Sequence, residues 1–141
     1  MNKVEKGSSG EPHVEGQSRR LDAPAARLDL MLEAEQVRRA EPPAAAGHSA
    51  KTLAKHPDLR VVLMSFRAGV RIKEHRARGS VVIQTITGFI RVKLAAEEVE
   101  LKAGSILVLE PSLAHDLEAL EESTVLLTLA WDGATQAEEN P

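Results

Sequence analysis

From about Leu59 to Trp131 the chain is written in a period of two, in short apolar-rich runs separated by Gly, Pro, Ser or charged turns. Successive side chains of a strand point to opposite faces, so alternation over five to eight residues marks a strand with one covered face. The runs divide into eight expected strands, at about 59–66, 70–75, 80–87, 89–95, 98–102, 105–109, 114–119 and 124–131. Eight short strands in about 73 residues with tight turns indicate an all-β fold, a double-sheet jelly roll or a small closed barrel that manages its edges by wrapping.

Parity within these runs predicts which side chains point inward. Across 82–94, Val82, Gln84, Ile86, Ile90, Val92 and Leu94 share one face, opposite Thr85, Thr87, Arg91 and Lys93. That phasing sets Gln84 on the apolar inward face and makes Val82 and Ile86 cavity-lining residues. In 114–119, His115 falls with Leu117 and Ala119, so His115 and Leu117 point inward, while Asp116 and Glu118 form a solvated face. Val99 and Leu101 alternate against Glu98, Glu100 and Lys102, and Ile106-Leu107-Val108-Leu109 is apolar on both faces, as expected of a strand covered on both sides. His75 is open in phase. Val70 and Ile72 oppose Arg71 and Lys73, which makes Glu74 the next inward residue unless the strand bulges.

Upstream, LDLMLEAEQVRRA (28–40) has strong helix formers, an acidic start, a basic end and Leu30, Ala34 and Val37 at i, i+4 and i+7. Leu28, Met31 and Leu32 broaden its apolar side, and Pro42-Pro43 stops it. The expected organisation is a flexible tail over 1–25, helix and connector over 26–54, a barrel over 55–133 and a second tail over 134–141. A short helix with this much apolar surface does not stand alone, so it is expected to pack on the barrel or on a second subunit. Jelly-roll edges also leave surface to cover, and a homodimer is the expected assembly.

With 141 residues, 43% of them apolar, the chain is one domain's worth and can bury a core. The absence of Cys excludes disulfides, thiolate zinc sites and a cysteine nucleophile, so any metal must be held by His or carboxylate. No apolar stretch approaches the roughly 18 to 20 residues of a membrane span, and MNKVEKGSSGEPHVEGQ has no apolar export segment, which makes the cytoplasm the expected location. A net charge of −3, no basic stripe, and Phe66, Phe89 and Trp131 as the only aromatics argue against nucleic acid as a direct partner. Ser65, Ser80, Ser105 and Ser112 spell out no nucleophilic triad, and no phosphate-cradling glycine loop occurs.

Two histidines stand in glycine frames, Gly69-(x5)-His75 leading to Gly88, and Gly104-(x10)-His115. His13, His48 and His56 lie outside these frames and are read as uninvolved; Glu74, Glu110 and Arg78 flank them and are read as solvated rim. In the segments GVRIKEHRARGSVVIQTITG (69–88) and GSILVLEPSLAHDLEA (104–119) the chain resembles the cupin superfamily, specifically small single-domain cupins of the cupin 2 type. The motifs of that superfamily are G-(x)5-H-x-H-(x)3,4-E-(x)6-G and G-(x)5-P-x-G-(x)2-H-(x)3-N. The resemblance covers about residues 55–131 and, more loosely, the helix, and implies a small cupin jelly-roll barrel with a short N-terminal helix.

In metal-binding cupins the two histidines and the glutamate of the first motif join the histidine of the second around iron, manganese, nickel or zinc. Matched position by position, His75 and His115 remain, the second histidine is Ala77 and the glutamate is Val81. The second motif has Glu110 for its proline, Ser112 for its glycine and Ala119 for its asparagine. The resemblance with these departures implies a weakly held divalent metal (Zn, Fe, Ni or Mn) or none, on His75 and His115 with Gln84 as a third contact. An inward amide among Val and Ile needs a partner, since an unpaired buried polar group costs about 1–3 kcal/mol. The leading expectation is a weak metal site or direct binding of a small, weakly polar organic ligand in the cavity. A metal-dependent oxygenase or isomerase using the same residues, and a sensory or dimerisation module without chemistry, are the other readings.

Overall fold

A computed structural model describes residues 20–40 and 47–130; of the expected tails over 1–25 and 134–141, residues 1–19 and 134–141 lie outside the described residues. Helix α1 (Leu30–Arg39) is followed by β1 (His48–His56), β2 (Leu59–Phe66), β3 (Arg71–His75), β4 (Val81–Thr87), β5 (Phe89–Lys93), β6 (Glu98–Lys102), β7 (Ile106–Leu109), β8 (His115–Ala119) and β9 (Ser123–Ala130). The strands form two antiparallel sheets, a five-stranded one in the order β1-β2-β9-β4-β7 and a four-stranded one in the order β3-β8-β5-β6. Their inner faces enclose Phe66, Val81, Ile83, Ile90, Val92, Leu101, Leu109, Leu117, Ala119, Val125 and Leu129, all buried. This is the two-sheet jelly roll that the period of two predicts.

All eight expected strands are present, and β1 is a ninth. Its sequence, HSAKTLAKH, has one large apolar residue, Leu53, and reads as connector because local alternation is too weak to mark it. Pairing along the whole of β2, with a register shift between Thr52 and Ala54, holds it in the sheet, which therefore begins at His48 rather than at residue 55.

The helix forms as expected. Asp29 caps it, its Oδ1 accepting from the Met31 and Leu32 amides at 3.1 Å, and Arg38 and Arg39 lie at the negative end of its dipole. Ala34 and Val37 pack on Leu53 and Leu63, on the outer face of the five-stranded sheet. Met31 and Leu32 do not join that face; they are exposed, and the buried neighbour is Glu33, whose carboxylate meets Lys51 Nζ at 2.8 Å. An i, i+3, i+4 stripe can be drawn on either side of Leu30, and only contact with the sheet selects one.

Parity carried through Gly88 sets Gln84, Val82 and Ile86 on the wrong face. Val81, Ile83 and Thr85 are the buried, inward residues of β4, while Ile86 packs with the helix-side cluster on the outer face and Gln84 lies opposite Leu126 and Ile106 there. Gly88 has φ 92°, and a Cβ there would run into the Ser123 hydroxyl and the Glu122 carbonyl. At that residue the chain leaves one sheet for the other, so the alternation of β4 and that of β5 are independent. Ile90 and Val92 do point inward. Thr85, fully buried where the phasing places it outside, satisfies its hydroxyl by donating to the Leu101 carbonyl at 3.3 Å.

Candidate functional site

The two glycine-framed histidines come from adjacent strands, His75 closing β3 and His115 opening β8. In the β3–β8 ladder Ile72 stands opposite Leu117 and His75 opposite His115, three residues on one strand against two on the other. This bulge settles the phase of His75: the extra residue turns it to the face shared with His115 and Leu117. The ring centroids lie 4.4 Å apart with planes inclined by 58°. His115 is buried, at 5% exposure, and His75 is exposed, so the pair sits where the interior meets solvent.

Both rings are oriented by their own strands. His115 Nδ1 lies 3.0 Å from the Leu113 carbonyl and His75 Nδ1 3.3 Å from the Lys73 carbonyl. A carbonyl only accepts, so each Nδ1 donates and each neutral ring carries its lone pair on Nε2. Neither Nε2 has a hydrogen-bond partner among the described residues. Burial pushes the His115 pKa below its ordinary value, and the neighbouring His75 adds to this, while the Leu113 carbonyl and Asp116 act in the opposite direction. The neutral, ligand-competent form of His115 is thereby favoured near pH 7.

The loops beside the rings are tied together. Ser112 N donates to the Ala77 carbonyl at 2.8 Å, and Arg76 Nη1 donates to the Ser112 carbonyl at 2.9 Å. Ser112 has φ 67°, so the backbone keeps a left-handed turn at the position where the cupin motif has glycine. Glu74, Glu110 and Arg78 are exposed, as expected of a rim.

Asp116 departs from its expected solvated role. It is buried at 7% exposure, and its carboxylate accepts from Arg71 Nη2 at 2.8 Å. The hydrogen bond to Asp116 is the main cause that raises the Arg71 pKa. The sequence offers an opposite charge at Arg71, but only the β3–β8 pairing brings it across.

A four-ligand metal centre does not fit these residues. The two positions that would supply the missing ligands hold Ala77, packed against the core, and Val81, within it at 4% exposure. Gln84 is on the outer face of the other sheet and does not complete the set. Among the described residues, no group of three or more His, Asp or Glu side chains could hold a metal ion. What fits is an open site of two imidazoles, each with Nδ1–H held by a carbonyl, the support that metal-ligating histidines commonly have.

No family model matches the chain, and no curated protein sequence matches it. Solved structures do. A cupin superfamily protein from Desulfitobacterium hafniense DCB-2 superposes with a TM-score of 0.66 at 16% identity, over 82% of this chain and 100% of that one. KdgF from Halomonas sp. matches with a TM-score of 0.58 at 26% identity, over 63% of this chain and 84% of that one. A variant of salicylate 1,2-dioxygenase from Pseudoaminobacter salicylatoxidans gives a TM-score of 0.64 at 20% identity, over 86% of this chain and 39% of that one. No helix among the described residues is long and apolar enough to cross a membrane. Two antiparallel sheets around one aliphatic core, a short N-terminal helix and these neighbours together show that the chain has the fold of a small cupin.

Proposed function

We propose that this small cupin of unassigned role uses His75 and His115 as an open, weak binding site for a borderline divalent cation such as Zn2+ or Ni2+. One observation carries this reading: two imidazoles side by side across a bulge, their centroids 4.4 Å apart and their planes tilted, each with Nδ1–H committed to a carbonyl and Nε2 left over. Two nitrogen ligands without a carboxylate give low affinity, and the other coordination positions fall to water or to an added ligand. The dioxygenase among the structural neighbours raises an enzymatic reading. Loss of half the donor set at Ala77 and Val81 supports binding over turnover.

A second reading is direct binding of a small, weakly polar organic ligand by the two Nε2 atoms. The observation in its favour is that Ala77 and Leu113, in the loops beside the rings, both pack against the core and offer an apolar floor.

Histidine-selective NMR of tag-free protein tests both. Zn2+ titration is expected to shift the His75 and His115 ring resonances and leave His48 and His56 in place, with the effect lost in His75→Ala and in His115→Ala. Unchanged spectra at millimolar Zn2+ rule out the cation reading. Shifts of the same two rings on adding small organic fragments without metal would establish the second.

A further inference from the structure

The connection that follows His75 and the one that precedes His115 are joined at a single residue. Ser112 donates its amide to the Ala77 carbonyl at 2.8 Å, and its carbonyl accepts from Arg76 Nη1 at 2.9 Å. Both peptide groups of Ser112 are thereby tied to the two residues that come directly after His75. The φ of Ser112, 67°, lies in the left-handed region, which costs a residue with a Cβ more than it costs glycine. Pro111 just before it suits the first central position of a type II turn, whose second central position requires positive φ. Two hydrogen bonds thus hold a serine in a conformation that it does not favour by itself.

The bond to the Ser112 carbonyl acts on His115 through the backbone. That carbonyl and the Leu113 amide belong to one planar peptide, so fixing the first fixes the plane from which Leu113 continues. The Leu113 carbonyl, one residue further on, accepts from His115 Nδ1 at 3.0 Å. Such a bond sets which nitrogen of a neutral imidazole carries the proton. Ala77 and Leu113 both pack against the core and anchor the two connections from within, while the exposed Arg76 joins them at the surface.

We propose that Arg76 is the positioning residue of the histidine pair: its guanidinium holds the Ser112 carbonyl, fixes the Ser112–Leu113 peptide and so keeps His115 in the tautomer whose lone pair is on Nε2. The role rests on the reading of His75 and His115 as a binding site. A guanidinium suits it, being always charged and making a charge-assisted bond to a carbonyl. One side chain sets both rings in register, because His75 precedes Arg76 in the chain and His115 follows the turn that Arg76 holds.

Long-range 1H–15N NMR of the histidine rings reads the tautomer in the tag-free full chain without metal, at about pH 8.5 and so well above the ordinary histidine pKa. Wild type is expected to show His115 protonated on Nδ1. In Arg76→Ala the two ring nitrogens of His115 are expected to move toward one another as both tautomers become populated, and Arg76→Lys, which keeps a charged donor, to recover part of the difference. A residue that only stabilised the fold would lower the unfolding midpoint and leave these shifts in place. Zn2+ titration followed on the same resonances is expected to give a Kd about fivefold higher for Arg76→Ala, the scale of one lost hydrogen bond. Unchanged His115 shifts in Arg76→Ala overturn the proposal, as does an equal Zn2+ Kd in the two proteins. If the tautomer moves and neither protein binds Zn2+, the positioning role stands and the cation reading of the site alone fails. If Arg76→Ala does not fold, Arg76→Met, which keeps an extended stem and no donor, is read in the same way.

Discussion

On the four-stranded sheet the outward positions hold Arg71, Arg91, Lys93, Glu98, Glu100 and Glu118; on the five-stranded sheet Leu53, Leu63, Ile86, Leu126, Ile106 and Val108 dominate, with Lys51 and Gln84 among them. The inner faces are alike, both aliphatic and both buried. On the charged side Arg91 reaches Glu100 at 3.2 Å, Glu118 at 3.6 Å and Glu98 at 3.7 Å, and Lys93 reaches Glu98 at 3.6 Å, a cross-strand network in contact with water. One sheet is finished by solvent and the other by cover, which α1 supplies at one end while Ile106 and Val108 stay exposed at the other. The difference teaches that the core alone does not define this domain: an apolar outer face makes the helix part of the fold.

The largest effect should come from the covered face. Leu63→Ala, at a fully buried position between sheet and helix, is expected to cost about 2–5 kcal/mol in urea unfolding, since it removes packing from both layers. A cost below 1 kcal/mol on the order of a surface change would mean that α1 only loosely covers the sheet. Gly88→Ala comes next, at the crossing between sheets. A side chain at φ 92° is expected to cost at least about 1–2 kcal/mol, with the Ser123 and Glu122 contact adding to it. Thermal unfolding would show whether the two sheets tolerate a relaxed crossing; an unshifted midpoint says they do.

On the charged face, Arg91→Ala is expected to cost about 0.2–1 kcal/mol at low salt and less at about 1 M salt, because its partners are half-exposed. If it costs as much as Leu63→Ala, the contrast between the faces is broken. Smallest at neutral pH is the contribution of His115. Its pKa is lowered in the folded state, so the unfolded chain binds the proton more tightly. Its share of the stability is complete above the ordinary value of 6.5 and is lost as pH falls from there through the folded pKa. Urea midpoints of wild type and His115→Asn should converge in slope at neutral pH and diverge below it; parallel curves would count against a desolvated ring.

Much of this was legible in the residues. Alternation located eight strands, Asp29 and the basic end located the helix, and Gly69, Gly88 and Gly104 located turns that all have positive φ. The phase of His115 was legible too, because Leu117 and Ala119 lie with it in one uninterrupted strand. Three readings failed for one reason. Gln84 was phased through a turn, β1 has too little contrast of its own, and Ile106 and Val108 look like core in a strand whose neighbours are unknown. Asp116 is a fourth case, since its burial depends on Arg71 across the ladder.

The sequence by itself determined the strand periods, the turns, the helix cap and the reduction of the expected ligand set to two histidines. Each of these follows from residues close together in the chain, where sterics and parity act directly. Only the tertiary structure decided which face of β4 is inside, that a bulge sets His75 beside His115, and that one apolar face of β7 is left bare. Parity has meaning only within one strand, and the choice of sheet, register and cover is made by contacts between residues far apart in sequence.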